Sequence, residues 1–185
     1  MGPGIIVLLA DQDDAAADLS AEHPAVERSR RLLVDLRDAL DRLVSSDDGW
    51  DAIAPGLVNT YDRGRHALSA SIDDPSGASF HEWRKRAKDT RYHLGVIVPA
   101  APDVLVPLEA TFHLLTDSLG DAHDLHVLAL RLSGTAGADD ALERIAARRV
   151  DAERRAVELG RQLYAESGRQ FGRRLGRYWE ADVRA

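Results

Sequence analysis

The sequence predicts an all-α protein, a helical bundle of about five helices, and three observations carry that prediction. Apolar residues recur at spacings of three and four, as in Leu108, Phe112, Leu115, Leu119 and Ala122, which lines them along one face of a 3.6-residue helix. No stretch alternates apolar and polar residues with period two over a useful length, so a half-buried strand has no candidate. Ala, Leu and Arg are abundant, and all three favour helix.

Taken in order, residues 1–23 read as a lead-in holding an acidic, Ala-rich segment over 11–18 that is at best a weak helix. Pro24 suits a first helical turn, and Val26, Leu33, Leu36, Leu40 and Leu43 then recur to Val44. Ser45-Ser46-Asp47-Asp48-Gly49 breaks the pattern. Trp50 and Ile53 precede Pro55, after which Leu57, Tyr61, Gly64 and Leu68 mark a second helix ending near Ile72. Past the loop 73–77, Ser79-x-x-Glu82 has the form of a capping box. A helix starting there runs until Pro99 forbids more, about 18 residues and ~27 Å.

Pro99, Pro102 and Pro107 mark a turn and the start of the next helix, whose apolar face extends through His126 and Ala129 to Leu132. Gly120 inside it costs about 1 kcal/mol relative to Ala, and a close helix approach would explain it. After the loop 133–137, Asp139 opens a long Arg-rich helix with Leu142, Ile145, Ala152, Ala156, Leu159 and Leu163 inward. It continues or restarts through Phe171, Leu175, Tyr178 and Trp179, with Gly168 and Gly172 permitting a break. Two segments result: residues 1–48, an N-terminal helical segment, and residues 49–185, the bundle.

The chain has 185 residues and no cysteine, so disulfides, thiolate metal sites and cysteine nucleophiles are excluded. Its N-terminal apolar run, residues 5–10, lacks a preceding basic region and is too short for a signal peptide. Nothing approaches a membrane span, and the expected location is cytoplasmic. The net charge of −7 argues against nucleic acid as a general partner. That average hides an asymmetry: residues 1–60 carry 12 acidic and 5 basic groups, residues 141–185 carry 7 and 11. An anion site must therefore be local and in the second half.

The third helix concentrates that expectation. Residues 79–94 hold five Lys/Arg. At about 100° per residue, Phe80, Trp83, Ala87, Thr90 and Leu94 form a packing stripe. His81, Arg84, Lys85, Lys88, Arg91 and Tyr92 share a second arc, and Glu82, Arg86, Asp89 and His93 a third. A helix selected only for solubility pairs Glu with Lys on one face. This one keeps its carboxylates off the cationic arc, where neighbouring like charges repel unless an anion joins them. Arg would supply forked contacts, Lys point charges, and His81 and Tyr92 neutral hydrogen bonds.

Other constellations carry less. Glu109, His113 and Asp117, with Asp121, His123, Asp124 and His126, have metal-ligand chemistry but come from one helix, whereas bundle metal sites draw ligands from several; no metal is expected. Arg144, Arg148, Arg149, Arg154, Arg155 and Arg161 are interspersed with Glu143, Asp151, Glu153 and Glu158 and read as a solvated, locally paired face. No nucleophile elbow, phosphate loop or acid/base pair is present, so the reading is of a non-enzyme without a cofactor.

His81-x-x-Arg84-Lys85-x-x-Lys88-x-x-Arg91-Tyr92 followed by Leu119-Gly120-x-x-x-Asp124 resembles the repeat of CHAD domains (conserved histidine α-helical domains). Gly56-Leu57-x-x-Thr60-Tyr61-x-Arg63-Gly64-Arg65 resembles the helix that precedes it there. The resemblance covers roughly residues 50–180, mainly the second half of such a domain. It implies two pseudo-symmetric four-helix bundles with basic residues lining a central surface, binding of inorganic polyphosphate, and association of some members with polyphosphate-containing granules. Carried over by position, His81, Arg84, Lys85, Lys88, Arg91 and Tyr92 match the ligand-facing motif, Arg63 and Arg65 basic positions of the preceding helix. Asp124 matches an acidic position suited to orienting a cation, since a carboxylate does not favour phosphate.

Members usually carry the His-x-x-Arg motif once per half, and here no first copy exists. The chain looks like a second half preceded by the remnant of a first in residues 1–48, a truncated form, or one that rebuilds the two-fold surface as a homodimer. The leading expectation is non-enzymatic binding of inorganic polyphosphate or a similar polyanion, with no membrane and no specific nucleic acid as partner. The alternative is a scaffold bundle whose basic face docks an acidic protein. A third reading, a metal-dependent phosphohydrolase, would use His113, Asp117 and His123.

Overall fold

A computed structural model describes residues 24–42 and 49–183. The described residues form six α-helices and no strand, which is the all-α fold the periodicity predicts. They run α1 (Pro24–Arg42), α2 (Trp50–Asp73), α3 (Gly77–Ile97), α4 (Pro102–Leu132), α5 (Asp139–Leu163) and α6 (Gly168–Val183), with a 3₁₀ turn, Val98–Ala100, before α4. The chain divides into two units, Met1–Asp48 and Gly49–Ala185. In the first, α1 carries an Arg31–Glu27 ion pair at 3.2 Å, one helical turn apart. Leu33, expected on its apolar face, is exposed. The side chains of Leu36 and Leu40, and Leu43, Val44 and the weak helix over 11–18, lie outside the described residues.

In the second unit, short connections reverse the chain from helix to helix, so α2 packs on α3, α3 on α4 and α4 on α5, and α6 returns to α2. Such loops produce neighbours that run antiparallel. The start of α2 is earlier than expected at Pro55, whereas α4 opens within the proline-marked turn. α2 begins at Trp50 and α4 at Pro102, so that Pro55 and Pro107 lie inside their helices. Each removes one backbone hydrogen bond, to the carbonyl four residues back. Those carbonyls belong to Asp51 and Asp103, exposed residues of the first turn where water can take the place of the lost donor.

The start of α3 is also earlier than expected. Its N-cap is Ser76, whose hydroxyl accepts from the Ser79 backbone at 3.2 Å, while Ser79 Oγ accepts from the Ser76 backbone at 3.1 Å. Ser79 is thus the third helical residue of a Ser-x-x-Ser box, not the cap. Glu82 does not reach back; Lys85 holds it at 2.5 Å and Arg86 at 2.6 Å. The expected packing stripe is buried throughout: Phe80, Trp83, Ala87, Thr90 and Leu94, joined by Ile97.

That stripe faces a core built on aromatic rings. Tyr61 of α2 stacks on Phe171 of α6 (centroids 4.0 Å apart) and leans on Tyr164 (5.1 Å). Its hydroxyl donates to the Leu163 carbonyl at 2.8 Å, and burial pushes the phenol pKa well up. Trp83, wholly buried, lies directly on the backbone of α5: a Cβ at Gly160 would stand 2.5 Å from its Cζ2. The Arg-rich helix does break, with α6 starting at Gly168, whose amide donates to Asp62 Oδ1 at 2.9 Å.

Gly160→Ala is therefore expected to destabilise the protein by about 1–3 kcal/mol through overpacking against a rigid ring, even though Ala is the better helix former. Urea unfolding checks this, and an unchanged or raised midpoint would show that the Trp83–Gly160 contact does not set the α3–α5 spacing.

Candidate anion-binding site

The packing stripe turns the cationic arc of α3 away from the core, and α4 borders its edge. His81 is half-buried, its ring 4.7 Å from that of His123 on α4. Its Nδ1 is shut off from solvent and has no hydrogen-bond partner. Arg84, one turn on, lays its guanidinium over Gly120 of α4: a Cβ there would be 3.7 Å from Nε and 3.8 Å from Nη2. Arg84 Nε is likewise buried and unpartnered. These distances are ordinary van der Waals contacts, so Gly120 is not explained by the close helix approach expected of it. What lies above it is an arginine side chain.

The arc is not uniformly free of carboxylates. Lys85 is paired with Glu82, and Arg91 reaches Glu109 of α4 at 2.6 Å, both partners half-buried. Tyr92 is 61% exposed, with the Arg91 guanidinium 6.0 Å from its ring centre. Among the described residues, neither Arg84 nor Lys88 has a carboxylate within 4.0 Å.

Arg63 and Arg65 on α2 are exposed, and no contact among the described residues links either to the arc. α2 meets α3 through Thr60 Oγ1 and His93 Nδ1, 3.2 Å apart. On the helical wheel His93 lies roughly 160° from Arg91, the residue that reaches α4, so α2 and α4 flank α3 on opposite sides. Arg65 stands instead within electrostatic reach of Tyr61.

The residues that sequence reasoning did not join to the arc come from α4 and α5. His126 sits against Gly77 in the first turn of α3, where a Cβ would be 2.7 Å from its Nε2. Arg149 of α5 lies 3.3 Å from His126 Nδ1. The spacing Gly120, His123, His126 places all three on one α4 face, the signal that could have found them. Asp124 orients no cation within 4.0 Å among the described residues; it lines a groove with Asp121 and Arg148. The expected metal-type set disperses, since Glu109 is held by Arg91 and His113 by Asp117 at 2.8 Å. No group of three or more His, Cys, Asp or Glu side chains among the described residues is placed to hold a metal ion.

A family model for the CHAD domain matches residues 5–133. The chain belongs to the CHAD domain family. The match takes in the first part of the chain, which corrects the expectation that the resemblance covers mainly the second half. Both quoted motifs, 56–65 and 81–124, fall inside it, but the motif-poor residues 5–48 belong to it too, while α5 and α6 lie beyond its end. The short motifs cluster in the middle of this CHAD domain, and residues 5–48 carry none. No curated protein and no solved structure matches the chain. No helix among the described residues is long and apolar enough to cross a membrane.

Burial lowers the pKa of His81, and the positive potential of His123, Lys85 and Arg84 adds to that, against a smaller opposing effect of Glu82. The imidazole is therefore neutral near pH 7. On acidification the unfolded chain takes up this proton first, so the associated stability is present above pH 6.5, the ordinary imidazole value, and is lost as pH falls toward the lowered one. In an NMR titration the His81 ring is expected to protonate below pH 6.5, and His81→Gln to remove part of the acid-side loss of stability. A His81 signal titrating at or above the ordinary value would contradict the assignment.

Proposed function

We propose that the protein binds inorganic polyphosphate, without turning it over, along the α3 face from His81 to Tyr92. Family membership supports the ligand class. The observation that carries the site is Arg84, a half-buried guanidinium with no carboxylate partner and an unsatisfied Nε. An uncompensated buried cation is costly, and an orphaned donor adds about 1–3 kcal/mol; a phosphate oxygen removes both penalties.

In this reading Arg84 and Lys88, one turn apart, are the primary contacts. Arg84 presents forked donors and Lys88 a point charge. Tyr92 and His81 add hydrogen bonds at the ends. Lys85 and Arg91 contribute by dividing their donors between phosphate and their carboxylates, Glu82 and Glu109. Arg63 and Arg65 enter from the family motif alone, on the far flank of α3. A homodimer would supply the second motif copy that this chain lacks, and polyphosphate-containing granules are the location such a ligand implies.

Titration of fluorescent long-chain polyphosphate tests the site. Arg84→Glu/Lys88→Glu is expected to lower affinity at least about tenfold, the loss of charge-assisted contacts, and to flatten the salt dependence that counterion release produces. Equal affinity in wild type and variant would remove the α3 assignment.

A bound phosphate also raises the pKa of His81, so binding takes up a proton. Affinity is expected to rise as pH falls below about 6.5 and to do so less in His81→Gln. A flat profile across that range in the wild type would exclude His81 from the contact.

A further inference from the structure

The basic excess of the C-terminal region is divided unequally between its two helices. On α5, Arg149 pairs with Glu153 and Arg154 with Asp151 and Glu158, while Arg144, Arg148, Arg155 and Arg161 are exposed and interleaved with Glu143, Asp151, Glu153 and Glu158. On α6, Arg169, Arg173 and Arg177 recur every fourth residue and are all exposed. Among the described residues none of them has a carboxylate within 4.0 Å. Three like charges in one row repel and destabilise the helix that carries them. α6 lies beyond the family match, so the α3 motif does not account for this row.

A neighbouring face of α6, about 100° round the axis, fixes the backbone that carries the row. Gly168, Gly172 and Gly176 also recur every fourth residue, and each is buried. A Cβ at Gly168 would overlap the Asp62 carboxylate; at Gly172 it would stand 2.5 Å from Val58 and at Gly176 2.7 Å from Trp50. The α6 backbone thus lies flat along α2 for its described length. Beside the arginine row, Gln170, Arg173, Arg174, Arg177 and Tyr178 line a groove. Arg174 is already bound to Glu166 at 2.5 Å, which keeps that carboxylate from neutralising the row.

We propose that the Arg169–Arg173–Arg177 row of α6 is a second phosphate-binding surface, which takes another stretch of the same polyphosphate chain. The proposal takes its ligand from the polyphosphate reading but does not depend on the α3 face. The row is all arginine, whose planar fork matches phosphate oxygens. Its four-residue repeat sets the cations about 6 Å apart along the axis, suited to a linear polyanion with charge at every unit. Single-stranded nucleic acid fits less well, because its binding surfaces add aromatic platforms for bases. Here Trp179 is half-buried against Trp50 (centroids 6.3 Å apart), and the groove is lined by a single ring, Tyr178, beside Arg174. A chain spanning both surfaces gains through effective concentration, whereas a short one occupies either alone.

The full chain is titrated with long-chain polyphosphate, with tripolyphosphate and with a single-stranded RNA oligonucleotide, as wild type, Arg173→Glu/Arg177→Glu and Arg84→Glu/Lys88→Glu. Circular dichroism controls for folding, and Arg173→Ala/Arg177→Ala gives a milder variant. The α6 pair is expected to lower long-chain affinity about tenfold or more while tripolyphosphate binding, read at α3, falls far less. Unchanged long-chain affinity in both α6 variants overturns the second surface and leaves the α3 reading intact. Loss in the α6 variants but not in the α3 pair would retain the surface and remove the α3 site. Loss of RNA binding, with polyphosphate unaffected, would identify the row as a nucleic-acid surface and overturn the proposal.

Discussion

The contact between the Trp83 indole and the bare backbone at Gly160 fixes how α3 sits in the protein. A large rigid ring on one helix meets the absence of a side chain on another, and Leu68 of α2 borders the same spot, 3.3 Å from where a Cβ of Gly160 would be. The rotation of α3 about its own axis follows from that seat. Once Trp83 points inward, residues one turn apart on the opposite arc, His81, Arg84 and Lys88, are committed to the outside. A rotation of one residue, about 100°, would carry Arg84 into the core. The chemistry of the α3 face is therefore a consequence of aromatic packing on its reverse.

The same logic divides the arc into a restrained and an unrestrained part. Glu109 of α4 holds Arg91, and Glu82 holds Lys85. Arg84 and Lys88 stand between them with no such partner among the described residues. The two imidazoles of His81 and His123 meet at the inter-helix seam, where burial, with Arg84 and Lys85 close by, keeps the His81 ring from readily accepting a proton. The face thus mixes fixed guanidinium charge with charge that appears only in acid or when an anion offsets its neighbours.

Much of this was legible in the sequence, and the reasons differ by level. The α3 stripe was readable because burial imposes a 3.6-residue period on one helix, with no knowledge of its neighbours required. The cap was not, because two overlapping patterns compete: Ser76-x-x-Ser79 and Ser79-x-x-Glu82. The upstream one forms, and Glu82 is drawn to the cations one turn ahead of it. Pro55 has the look of a helix start, whereas it sits one turn further in, where the cost falls on an exposed carbonyl; Pro102 and Pro107 both belong to the first turns of α4. Arg84 and Lys88 could be proposed from α3 alone. The spacing of Gly120, His123 and His126 marks one α4 face, but that this face meets α3, and that Arg149 joins it, arises from tertiary pairing that no single-helix pattern encodes.

Tyr61 joins residues 102 and more positions apart, through its hydroxyl to Leu163 and its ring to Phe171. The pairs α2–α3, α3–α4 and α4–α5 each join consecutive helices, contacts that cost little loop-closure entropy. Docking of α6 on α2 is of another kind, since it closes the whole second unit on itself. α6 therefore completes the surroundings of α2: without it the inner face of α2 lacks its cover and Tyr61 lacks its stacking partner Phe171. The last helix of the described chain is thus the point at which a string of hairpins becomes a cooperative unit.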